Sequence, residues 1–91
     1  MTSAAVQDSY PDDVAVCYGC GRLNADGLHI RTFWDGSQGV ARFEPRPYHL
    51  AVTGVVYGGL LASLIDCHAV GTAAAARYAA EFNVPFSPLD I

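Results

Sequence analysis

TGVVYGGLLASLIDCH, residues 53–68, sets two glycines at the mouth of a strongly apolar run and then places an acid, a thiol and an imidazole in succession. From about Gly59 the composition turns helical. Leu60, Leu61, Leu64, Ile65, Ala69, Val70 and the alanines at 73–76 leave almost no polar stripe, and a helix apolar on nearly all sides is a buried one. Arg77, Tyr78 and Glu81 mark where it surfaces, so a helix is expected near 58–78. Asp66 sits in the middle of it. Either that acid does chemistry in a shielded site, or the segment is less buried than it looks. A carboxylate held among Leu64, Ile65 and Val70 should have a raised pKa unless a polar group meets it. The plainer alternative is an acid that caps a neighbouring loop.

Working outward, LHIRTFW (28–34) alternates, with Leu28, Ile30 and Thr32 on one face and His29, Arg31 and Phe33 on the other. That is a strand pattern. DGSQG supplies turn chemistry, and VARFE (40–44) returns as the second arm of an antiparallel hairpin. Pro45 and Pro47 end that strand near residue 45, because proline removes a ladder donor. CYGCGRLNADGL (17–28) reads as an ordered loop, residues 1–16 as a flexible acidic leader, and NVPFSPLDI (83–91) as a proline-interrupted loop. The class is α+β. Two strands cannot enclose a central helix, so the domain at 17–91 is expected to be incomplete at its C-terminus.

Composition narrows the function. Ninety-one residues, 52% hydrophobic and 15% charged, make one small domain with a core rather than a disordered chain. So much apolar surface on so short a chain points to a partner subunit. Nine acids against five arginines, with no lysine, exclude a basic nucleic-acid footprint. The acidic N-terminus is unlike a signal peptide. A membrane-spanning 58–76 would bury Asp66 at a cost of at least ~2.5 kcal/mol, so no membrane partner is expected. A cytoplasmic protein is the reading, and an odd count of three cysteines agrees with it.

The glycine pair and the acid carry the candidate chemistry. A helix start offers unpaired N–H groups, and glycines let a carbonyl approach them closely. Gly58 and Gly59 thus suit an oxyanion hole, although they equally suit tight packing of the helix start. Asp66 lies seven residues beyond Gly59, about 10 Å along a helix. It can serve an acyl group only at another subunit's helix start, with two helices antiparallel across a dimer axis. His68 is turned about 200° from Asp66, so the two form no dyad; a structural His68 bonded to Thr72 one turn on is expected. Cys67 reads as a small core residue. Cys17 and Cys20 have the spacing of a metal knuckle, but zinc wants four ligands and no second CxxC follows. Cys67 and His68 would complete a site only if the leader folded back onto the helix, so neither a metal nor any other cofactor is expected.

At these residues the chain resembles the hotdog-fold thioesterases of the PaaI-like group. GVVYGGLLASLIDCH is similar to their segment of a His-Gly-Gly or Asn-Gly-Gly start, six residues, and an acid on the central helix. CYGCGRLNADGL is similar to the cysteine-containing leader of one branch, and DGSQGVARFEPRP to the first hairpin turn and second strand. The resemblance covers about residues 17–78. It implies a helix wrapped by an antiparallel sheet, with this chain an N-terminal portion lacking the later strands. It further implies a homodimer or homotetramer and hydrolysis of acyl-coenzyme A thioesters at sites shared between subunits. Asp66, Gly58 and Gly59 would then be catalytic, and Tyr57, His68, Arg46 and His49 would contact substrate, the last two at the anionic groups of coenzyme A. Tyr57 stands where the family most often has histidine, and Ala51 where some members have asparagine. The competing functions are a non-catalytic acyl-CoA or lipid-binding hotdog protein and a small metal-binding interaction module.

Overall fold

The computed structural model describes residues 4–82. In chain order it has a 3₁₀ turn at Val6–Ser9, strands β1 (Phe33–Trp34) and β2 (Gly39–Val40), and one long helix, α1 (Gly58–Phe82). The strands pair antiparallel, Phe33 opposite Val40 and Trp34 opposite Gly39. The chain is therefore α+β, with a helix packed against a two-stranded hairpin. NVPFSPLDI lies outside the described residues.

The hairpin turn is built by Asp35. Its Oδ1 accepts from the Ser37 and Gln38 N–H groups at 2.9 and 2.8 Å and from Ser37 Oγ at 3.1 Å. Gly36 supplies the left-handed backbone at φ 103°. Both strands are shorter than the 28–34 and 40–45 expected. His29 takes φ 55°, which no extended strand permits, and the neighbouring N–H groups are committed elsewhere. Leu28 donates to Tyr18 O at 2.8 Å, Ile30 to Gly19 O at 2.9 Å, and Thr32 O accepts from Val6 at 2.8 Å. The alternation itself survives, since Ile30 and Thr32 are buried while His29 and Arg31 are exposed.

The Val6 bond also brings the start of the stretch expected as a flexible leader into the packed body. Ala5, Val6, Gln7 and Ala15 are buried. Arg31 pairs with Asp8 at 2.6 Å and Arg22 with Asp12 at 2.7 Å. Two of the three acids that made this stretch look solvated, Asp8 and Asp12, are partners for arginines further along.

Among the described residues, helix α1 packs one face only. Leu60, Cys67, Gly71 and Ala75 are buried at helical spacing. A Cβ on Gly71 would sit 2.8 Å from Gln7 Nε2 and 3.1 Å from Thr32 Oγ1, so this glycine lets leader and strand reach the helix. The opposite face, with Leu61, Ile65, Asp66, Ala69, Val70 and Ala73, is exposed, Ile65 at 69%. The helix buried all round is thus corrected: the elements among the described residues lie on one side, and two-residue strands are too short to wrap the other. Residues 58–81 have the length and mean hydropathy (1.4) of a membrane span, but Asp66 interrupts the exposed face and buried polar groups press on the packed one.

Candidate functional site

Residues 46–57 deliver the chain to the helix start. His49 N–H donates to Arg46 O at 3.0 Å and Arg46 N–H to His49 Nδ1 at 2.8 Å, closing a turn. Leu50 and Val56 bridge antiparallel around a turn in which Val55 N–H donates to Val52 O, with Gly54 at φ 79°. Tyr57 O then accepts from Leu60 at 3.1 Å and Leu61 at 3.4 Å, which opens α1. Gly58 and Gly59 occupy the first turn, where N–H groups have no intrahelical acceptor. A Cβ on Gly58 would meet nothing within 4 Å, whereas one on Gly59 would fall on the Tyr57 ring. The two glycines are therefore not equivalent. Gly58 faces open space, and Gly59 lies beneath Tyr57. Around them Leu50, Val52, Val55, Tyr57 and Leu61 are all exposed, an apolar rim at the helix start.

Asp66 is exposed on the uncovered face of α1, not shielded among Leu64, Ile65 and Val70. Ile65 and Val70 themselves face solvent, so they cannot shield it. His68 points the other way. Its Nδ1 lies 3.0 Å from Thr32 Oγ1, so the ring is held by the residue before β1 rather than by Thr72, whose Oγ1 is buried with no partner among the described residues. Gln7 completes that network and could not have been picked out from sequence, because its two bonds to Thr32 span 25 residues.

Arg46 and His49 lie on the approach to the glycine pair, where His49 O accepts from the Tyr57 N–H at 3.0 Å. Arg46 lines an open groove of about 520 Å³ together with Leu28, His29, Arg42, Phe43 and Glu44. Arg42 is the cation there that sequence reasoning passed over. The ring of His49 packs edge-on to Tyr48 (centroids 4.7 Å apart) and tilted against Phe43 (5.9 Å), and its Nδ1 is already used by Arg46 N–H. It is a turn-forming residue in this chain.

The leader does fold back onto the helix, and it brings Cys17, Cys20 and Cys67 together, their sulfurs all within 4.8 Å of one another. His68, bonded to Thr32, is not among them. Gly21 N–H donates to Cys17 O at 2.7 Å and Gly19 N–H to Cys17 Sγ at 3.3 Å, curling the loop around the sulfurs. A Cβ on Gly19 would fall on Cys67 Sγ, and one on Gly21 would sit 2.5 Å from Ala15 O. Backbone N–H groups of Cys20 and Gly19 pull the Cys17 thiol below its ordinary pKa. Burial first, and then the neighbouring Cys67, push Cys20 up to about 12, and burial raises Cys67 too. Burial and the same three sulfurs raise Tyr10. Three thiols this close cannot all ionise unless a cation joins them.

No protein-family model, curated protein or solved structure matches this chain.

Proposed function

We propose that this chain is a hotdog-type hydrolase of acyl-coenzyme A thioesters whose active site is assembled between two copies. The single observation that carries the reading is the arrangement along α1: Gly58 opens the helix into free space, and Asp66 stands two turns on, on the same helix's uncovered apolar side. One helix cannot bring these groups to one carbonyl, since about 10 Å of axis separates Gly59 from Asp66. Two helices running antiparallel can. The uncovered face offers the apolar area such pairing buries.

In this mechanism the thioester oxygen sits at the Gly58 N–H, and the absence of a side chain on Gly59 lets the Tyr57 ring close down on the helix start as one wall. Asp66 of the other copy takes a proton from water as the new C–O bond forms, and the C–S bond then breaks. The coenzyme A thiolate leaves and is protonated, so thioester and water give acid and thiol. Direct attack by Asp66 is the alternative route to the same products. Arg46 and Arg42 supply positive charge for the anionic end of the substrate.

The test is hydrolysis of acyl-CoA thioesters of graded chain length, followed through the absorbance of the thioester bond because the protein's own three thiols would consume a thiol reagent. Turnover above the buffer rate supports the reading. Saturable binding without turnover establishes the second reading, an acyl-CoA or lipid-binding protein, which the exposed apolar rim around Gly58 favours. Neither binding nor turnover removes both.

A further inference from the structure

The cysteine cluster is not used by that reaction, and it has the marks of a built site. Its ligands come from two distant parts of the chain, the loop at 17–20 and the middle of α1. A zinc ion bonded tetrahedrally at about 2.3 Å holds its sulfurs about 3.8 Å apart. Sulfurs already within 4.8 Å of one another need to close by only about 1 Å. The loop is shaped for this approach. Gly19 is the one residue type that admits Cys67 Sγ at that point, and its N–H donates to Cys17 Sγ at 3.3 Å, the kind of support that thiolate ligands receive. Packing alone does not explain the cluster, because Cys17 is exposed and gains little from burial.

We propose that Cys17, Cys20 and Cys67 bind a zinc ion that fastens the N-terminal loop to the centre of α1. The exposed side of Cys17 leaves the fourth position to a solvent molecule. The ion's charge removes the repulsion among three neighbouring thiolates. The chain has reason to use such a staple: the buried apolar residues among those described are Ala5, Val6, Ala15, Ile30, Leu60, Cys67 and Ala75, mostly small. Domains with cores this slight commonly add a metal. Zinc is preferred to a dithiol redox pair because a third sulfur sits on the CxxC, and the loop opens no helix that would stabilise one thiolate.

The experiment is metal analysis of the full chain purified under reducing, oxygen-free conditions, followed by cobalt titration of the metal-free protein. One zinc per chain is expected, with a thiolate-to-cobalt charge-transfer band and the visible bands of tetrahedral cobalt. Cys17→Ser, Cys20→Ser and Cys67→Ser should each weaken binding at least ~100-fold, beyond the loss that follows removal of a supporting partner. Should a serine variant not fold, alkylation of the wild-type chain decides instead: all three cysteines should be protected with zinc and modified once a chelator is added. Sub-stoichiometric zinc with no cobalt band, unchanged affinity in Cys67→Ser, alkylation indifferent to the chelator, or a Cys17–Cys20 disulfide in the reduced preparation would each overturn the proposal. None of these readings depends on thioester turnover.

Discussion

Gln7 and Thr32, 25 residues apart, satisfy each other twice: Gln7 Oε1 accepts from the Thr32 N–H at 2.7 Å, and Gln7 Nε2 donates to Thr32 Oγ1 at 3.1 Å. Both residues are buried, and Thr32 passes the network on to His68 of α1. The leader, the residue before β1 and the helix are thus joined through two buried polar residues and the half-buried His68. Gln7→Ala leaves the Thr32 N–H buried without an acceptor, which costs ~1–3 kcal/mol. Chemical denaturation should show that loss in the midpoint with the slope unchanged; a shift below 0.5 kcal/mol, within the ordinary range of surface substitutions, would mean the network is already hydrated.

The two glycines at the helix start should respond differently to the same methyl group. Gly58→Ala adds a Cβ to open space, so stability should stay within ~0.5 kcal/mol of the parent. If the Gly58 N–H receives the thioester oxygen, Gly58→Pro, which removes that N–H at a first-turn position where proline is tolerated, should lower turnover by ~10²-fold, the scale of losing one oxyanion donor. Gly59→Ala must displace the Tyr57 ring, and its effect should appear in stability as well. Equal turnover in Gly58→Pro and the parent would make the pair a packing feature.

Asp35 gives the hairpin a defined acid sensitivity. The N–H groups of Ser37 and Gln38 hold its carboxylate below the ordinary 3.8. A depressed folded pKa stabilises the hairpin above the unfolded value, and that contribution is lost as pH falls through the folded value. The Ser37 and Gln38 amide resonances should therefore titrate with a midpoint below 3.8, and in Asp35→Asn this titration should vanish. A midpoint at or above 3.8 would mean the turn bonds are not kept in solution.

The helix was legible because a long apolar run beginning at two glycines leaves few alternatives, and it holds from Gly58 to Phe82. That Ile30 and Thr32 share a face was legible from alternation; that theirs is the buried face was not. What alternation could not supply was the partner: the Leu28 and Ile30 N–H groups belong to Tyr18 and Gly19, and Val6 donates to Thr32 O. Pairing between distant segments leaves no local signal. The same holds for Gln7, which reads as one polar residue of an acidic leader until the fold buries it. Of the candidate site, Gly58, Gly59 and Asp66 were visible by spacing, but the exposure of Asp66 was not, because the hydropathy of α1 says how apolar the helix is and not which elements cover it. CxxC was visible as a pair, and its third sulfur only through the return of residues 17–20 to the helix.

The most direct measurement is acyl-CoA turnover by the parent chain and by Asp66→Asn, with circular dichroism recorded on both. Asparagine keeps the shape of the side chain and removes the proton acceptor. With Asp66 as general base, turnover falls by ~10²–10⁴ while the spectrum is unchanged. Equal turnover in the two chains would contradict the assignment and return Asp66 to the solvent-facing surface of α1.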